Sequence, residues 1–266
     1  MGWTARRAAV AATVILALAC SRGQAEPAAQ AGPGAPPLVL TAGERDRRWD
    51  AAVAALAARR RDLAADLHAA RDPAARRAVL ARARDAAFRA VVDDLAPLWL
   101  GMPWGLGKDS TASRPYQPGK VVGCSYFVTA IALGAGLVLD DRYRFAQAPA
   151  LAIQRALARG RGAVHRYLSI PGDRLAREIA ALGDGLYLIG LDVHVGFVVV
   201  DGGAVRLLHA SYTGAAQVSD EPLATAAAID RSRDAGYFVS PVFVRSADND
   251  ALVERWLAGA PLSLDR

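Results

Sequence analysis

Two apolar runs separated by a tight turn constrain this chain more than any other feature. Residues 185–200 read Gly-Leu-Tyr-Leu-Ile-Gly-Leu-Asp-Val-His-Val-Gly-Phe-Val-Val-Val, residues 204–209 read Ala-Val-Arg-Leu-Leu-His, and Asp201-Gly202-Gly203 lies between them. Aspartate followed by glycine favours the two-residue turns whose twist matches a β-hairpin. The segment is therefore expected to form an antiparallel ribbon, with residues 185–200 as one strand and residues 204–209 as the next. With Asp201-Gly202 as the turn, Val200 pairs with Gly203 and His194 lands directly opposite His209. A slip of one residue would put the two rings on opposite faces, and a slip of two would restore them to the same face.

The rest of the chain supplies what packs on this ribbon. Trp49, Val53, Leu56, Leu63 and Leu67 recur at helical spacing over residues 42–70. Asp72-Pro73 then offers an N-cap followed by proline at the first helical position. A second helix with Leu80, Phe88, Val91 and Leu95 on one face should stop before Pro97. Residues 101–123 form a long glycine- and proline-rich loop, and further helices are expected at 124–137, 148–159 and 174–182. Residues 237–244 form a later strand, at an edge because of Pro241. Helices first and strands later predict an α+β fold with N-terminal helices and an antiparallel sheet. The domains expected are a helical pair over 41–97, a catalytic domain over 98–246, and a C-terminal helix and tail over 247–266.

The N-terminus reads as an export segment over residues 1–20. Arg6 and Arg7 precede an apolar run from Ala8 to Ala19, too short to span a membrane as a helix and suited to a signal peptide. The run ends Ala17-Leu18-Ala19-Cys20, which resembles a bacterial lipoprotein signal and implies that Cys20 is lipidated. Gly23-Gln24-Ala25 offers ordinary signal-peptidase cleavage as the alternative. Either route puts the mature protein outside the cytoplasm, in the cell envelope, and residues 21–40 read as a flexible tether. The net charge of +6 is mostly arginine. No stretch interleaves arginine with stacking aromatics, so no nucleic-acid partner is expected. An apolar fraction of 53% supports a packed core.

With Cys20 in the export segment, Cys124 is the one thiol of the mature fold. It stands in Gly123-Cys124-Ser125-Tyr126, where the glycine-rich loop turns into a helix. Helix-start amides favour a thiolate and could hold an oxyanion beside the sulfur. His194 sits between apolar residues, with Asp192 and Gly196 on its face by strand alternation, and Gly196 leaves room for a group to approach the ring. His209 on the next strand can orient His194, the third-group role of thiol and serine triads. Trp104, Tyr116 and Gln117 in the preceding loop, with Ser125 and Asp192, are candidates to line a substrate groove, and Gln117 or Gln147 could donate to an oxyanion.

A cysteine at a helix start followed by Ser125 and aromatics, then His194-Val195-Gly196-Phe197 on a strand, then Leu208-His209-Ala210-Ser211 on the next, resembles the NlpC family of papain-like cell-wall cysteine peptidases. Gly123 stands where that family carries aspartate. The resemblance implies a papain-like fold, Cys124 as nucleophile, His194 as base and His209 as orienting residue, no cofactor, and peptidoglycan or another peptide as substrate. Two other readings use the same cleft: acyl transfer, or a catalytically silent envelope lipoprotein that binds peptide or lipid. A third takes Asp192, His194 and His209 as ligands of a metal such as zinc or manganese.

Overall fold

The computed structural model describes residues 40–158 and 164–264. The expected export segment, Cys20 and the expected tether up to residue 39 lie outside the described residues. Helix α1 (Ala42–Ala69) opens on a capping box. Glu44 accepts from the Thr41 amide at 2.8 Å, and Thr41 Oγ1 accepts from the Glu44 amide at 3.3 Å. Helix α2 (Pro73–Arg89) is capped by Asp72, whose carboxylate accepts from the amides of Ala74 and Ala75 at 2.9 and 2.8 Å. Helix α2 itself ends before Pro97, as expected, and shorter turns continue the chain. A π turn (Ala90–Leu95) and a 3-10 turn (Ala96–Trp99) carry it past that residue. Pro97 falls in the first positions of the 3-10 turn, where a missing N–H leaves no bond unmade. Trp99 is fully buried, edge-on to Trp49 at 5.8 Å and to Phe127 at 5.6 Å. That contact docks the helical pair onto helix α3 (Cys124–Gly134).

The sheet has six strands: β1 (His165–Tyr167), β2 (Gly185–Gly190), β3 (Val195–Asp201), β4 (Ala204–Ala210), β5 (Val218–Pro222) and β6 (Tyr237–Val244). Their order is β1-β6-β2-β3-β4-β5 and every pair is antiparallel. The expected α+β architecture is present. Leu186, Leu188, Phe197 and Val199 face the core that contains α1 to α3. Tyr187, Ile189, Val198 and Val200 face a second core, with Leu175 and Ile179 of helix α6 (Gly172–Ala180). Burial on both faces is why the middle strands read as continuous apolar runs.

Three strand expectations change. Residues 185–200 are two strands, not one. The chain reverses at residues 191–194, where the Leu191 amide donates to the His194 carbonyl at 2.8 Å. That turn, centred on Asp192-Val193, carries no glycine or proline to mark it. The next hairpin turns at Gly202-Gly203, with Asp201 paired to Ala204. Both glycines have positive φ, 57° and 85°, as a type I′ turn requires. Asp201 is instead held as a strand end by Arg89, whose guanidinium donates to its two carboxylate oxygens at 2.8 and 3.1 Å. The register is thus two residues from the expected one and keeps the same faces. Finally, β6 is an inner strand. Pro241 sits beyond the reach of β1, which covers only residues 237–239, and beside an irregularity in the β2–β6 ladder.

Strands β1 and β5 and the short helix α4 (Arg142–Gln147) were not expected. Helix α5 (Ala150–Leu157) and the last helices α7 (Ala227–Arg231) and α8 (Asp250–Ala258) complete the described chain. The long loop covers the β5 edge: the Gly101 amide donates to Val218 O at 2.9 Å, Val218 N to Met102 O at 2.8 Å, and Trp104 N to Ala216 O at 2.8 Å. No helix among the described residues is long and apolar enough to cross a membrane.

Candidate active site

Cys124 is the first residue of α3 and is half-buried. The N-cap is Gly123, so no side chain occupies the helix-start amides. The loop sets the angle at which the chain enters the helix, since the Gly123 amide donates to Ser110 O at 2.9 Å. The sulfur opens onto a cleft of about 370 Å³ lined by Cys124, Ser125, Pro149, Asp192, Val193 and His194 among others. Ala148 and Pro149 also border a second pocket of about 520 Å³, with Tyr143, Arg144 and Gln147 on its wall.

His194 ends the β2–β3 turn and His209 lies near the end of β4. Continuing the β3–β4 ladder by one pair places His209 opposite Gly196, with His194 two residues further on the same face. The diagonal suffices for contact: His194 Nε2 and His209 Nδ1 are 2.7 Å apart. Gly196 makes this possible. A Cβ there would lie 2.8 Å from the His209 Cβ and 3.2 Å from the Leu208 carbonyl. Both rings are buried, His209 completely. On its far side His209 Nε2 lies 2.8 Å from Glu221 Oε1. Tyr212 stands edge-on to His194 at 5.1 Å and Trp104 tilts against Tyr212 at 6.1 Å.

Burial dominates the electrostatics on both sides of the cleft. It pushes the Cys124 thiol up, against the backbone amides of Val195, Ser125 and Cys124 itself, which pull it down. The helix start alone suggested a stabilised thiolate; desolvation outweighs it. Burial also pushes His194 down to about 3, and the neighbouring His209 ring adds to the shift in the same direction. Thiol and imidazole therefore both rest neutral at pH 7. Among the described residues no hydrogen bond joins Cys124 to His194; they meet across the cleft.

The structure brings Cys124, His194, Ser125 and Asp192 to one cleft, with His209 behind His194. The Ser125 hydroxyl donates to the Ala146 carbonyl and ties α3 to α4. Asp192 is an exposed rim residue in the turn rather than a strand residue beside His194. Trp104 is linked to His194 through the Tyr212 ring. Tyr116 and Gln117 are engaged elsewhere. Tyr116 donates to the Leu100 carbonyl at 2.9 Å under the Arg45 guanidinium, and Gln117 Oε1 accepts from the Ser113 amide at 3.3 Å. Gln147 faces the second pocket, its Nε2 3.3 Å from the Tyr126 hydroxyl. The described residues contain no group of three or more His, Cys, Asp or Glu side chains placed to hold a metal ion. Glu221 is the residue sequence reading missed. It follows Val-Ser-Asp before a proline, a run with little strand character. No protein-family model, curated protein or solved structure matches the chain.

Proposed function

We propose that this chain is a papain-like cysteine hydrolase of NlpC type, cleaving amide bonds in peptidoglycan stem peptides at the cell envelope, to which a lipid on Cys20 anchors it. The observation that carries the reading is a buried imidazole, held at Nε2 by a second imidazole, facing the same cleft as a thiol at an uncapped helix start. Because Nε2 of His194 is engaged, Nδ1 is the nitrogen that takes the thiol proton. Proton transfer then accompanies attack, since both groups rest neutral. The sulfur adds to the amide carbonyl and helix-start amides hold the oxyanion. His194 returns the proton to the departing amine, and water, activated by the same ring, hydrolyses the thioester. The chemistry uses no cofactor.

Digestion of purified muropeptides by the parent protein and by Cys124→Ala tests this. New amine termini in the parent digest alone support peptidase action. Absence of cleavage by a protein whose Cys124 still alkylates would move the reading to a non-cell-wall amide, or to acyl transfer if an added amine captures the acyl group. Labelled palmitate on the parent but not on Cys20→Ala would support the anchor.

A further inference from the structure

Glu221 extends the histidine pair by one member. On β5, Ser219 pairs with His209 and Glu221 pairs with Leu207, so Glu221 is the diagonal neighbour of His209 on its own face. His194 is the diagonal neighbour of the same residue from β3. The three side chains thus step from the end of the β2–β3 turn across β4 to β5, with contacts of 2.7 and 2.8 Å. The Glu221 side chain is 35% exposed while that of His209 is at 0%. A carboxylate at the strand edge keeps part of its hydration, which one at the buried end would lose.

We propose that Glu221 is a positioning residue that fixes the tautomers of both histidines and so aims a lone pair of His194 at the Cys124 thiol. This rests on the hydrolase reading for its purpose and on hydrogen-bond logic for its content. An ionised carboxylate can only accept, so His209 must donate from Nε2. A neutral imidazole has one N–H, so His209 Nδ1 is then an acceptor. His194 must therefore donate from Nε2 into the 2.7 Å contact. Its Nδ1 is left with a lone pair, which is what a base toward the thiol requires. The reverse polarity would put the His194 proton on Nδ1 and its lone pair on Nε2, already engaged by His209, so no lone pair would be left for the thiol proton. Nothing else in the ring-to-ring contact chooses between the two polarities.

The test is nitrogen-15 NMR of the histidine rings in the full chain. The sequence has four histidines; His68→Gln and His165→Gln remove the other two signals. In the parent, both His194 and His209 should carry their proton on Nε2. In Glu221→Leu the polarity is released, and both rings should become tautomer mixtures or reverse. Glu221→Gln, which can donate as well as accept, is the second variant should the leucine chain fail to fold. Turnover should fall about 10–100-fold in kcat with KM nearly unchanged, the size seen when a residue supporting a functional imidazole is removed. Glu221→Asp should recover part of both signals. An Nδ1–H tautomer of His194 in the parent, or unchanged tautomers in both Glu221 variants, overturns the proposal. A parent protein without turnover would sink the hydrolase reading instead, and the tautomers would still decide this one.

Discussion

The middle of the sheet and its edges hold the candidate site on different terms. All of β2 and nearly all of β3 are buried between two cores, whereas β1, and β5 beyond the buried Val218, alternate partly buried with exposed residues. The two rings, at the ends of β4 and of the turn into β3, are buried beside that middle and fixed to within hydrogen-bonding tolerance because nothing around them can move far. The edge supplies the group that has to stay charged. A site that needs both a dry base and an ionised carboxylate is well served by a row of side chains running from the inside of a sheet to its margin.

The largest test of the buried half is His194→Ala. Removing a general base should lower turnover about 10²–10⁴-fold, while Cys124 remains alkylable. A variant as active as the parent would remove the middle of the sheet from the chemistry. Acid should expose the same half through stability. His194 in the fold takes up its proton only near pH 3, against 6.5 ordinarily. Between those values the unfolded chain binds more protons, so stability rises with pH there. The contribution is complete above about pH 6.5 and lost as pH falls toward 3, a loss on the order of a few kcal/mol. Urea midpoints that stay constant from pH 7 to pH 4 would mean that the ring is not desolvated as the fold implies.

The contrast between middle and edge also explains what was legible in the sequence. Leu186–Ile189 and Phe197–Val200 announce themselves because a strand buried on both faces must be apolar throughout. Cys124 and His194 stood out as reactive types in such surroundings, and His209 followed from the ribbon. The turn at Asp192-Val193 was not legible, because the ladder on either side specifies it and its own residues do not. Strand β5 was illegible for a related reason. Val218–Pro222 is held by β4 on one side and by the long loop on the other, and these are contacts between residues distant in sequence. Glu221 was hidden with it. Tyr116 and Gln117 were chosen for their place in a loop, and a loop's sequence does not say which of its side chains turn inward.

Gly196→Ala probes how tightly the middle is specified. Its new Cβ would meet the His209 Cβ at 2.8 Å, between two strands that cannot separate. The expected cost is about 1–3 kcal/mol in a denaturant titration, as for overpacking elsewhere. Turnover should fall as well, because His209 would be displaced from His194. Ser219→Ala, opposite His209 on the edge strand, should stay within about 0.5 kcal/mol of the parent. Equal costs at the two positions would erase the difference between middle and edge.

A smaller effect than that at Gly196 separates the two possible registers of the β3–β4 hairpin. Gly203 has φ 85°, and a Cβ added there would have nothing within 4 Å, so alanine meets no neighbour. Its only cost is the left-handed backbone, about 1 kcal/mol. Were Asp201-Gly202 the turn, residue 203 would be an ordinary strand residue, and alanine would stabilise slightly by restricting the unfolded chain. Gly203→Ala therefore changes stability in opposite directions in the two registers. A shift of two keeps His194 and His209 on one face in either case, so turnover would not discriminate. The sign of the change in the urea midpoint does. Destabilisation supports the Gly202-Gly203 turn and the diagonal contact between the rings. Stabilisation would place His194 directly opposite His209, shift Gly196 away from the His209 Cβ, and remove the reason for a glycine at that position.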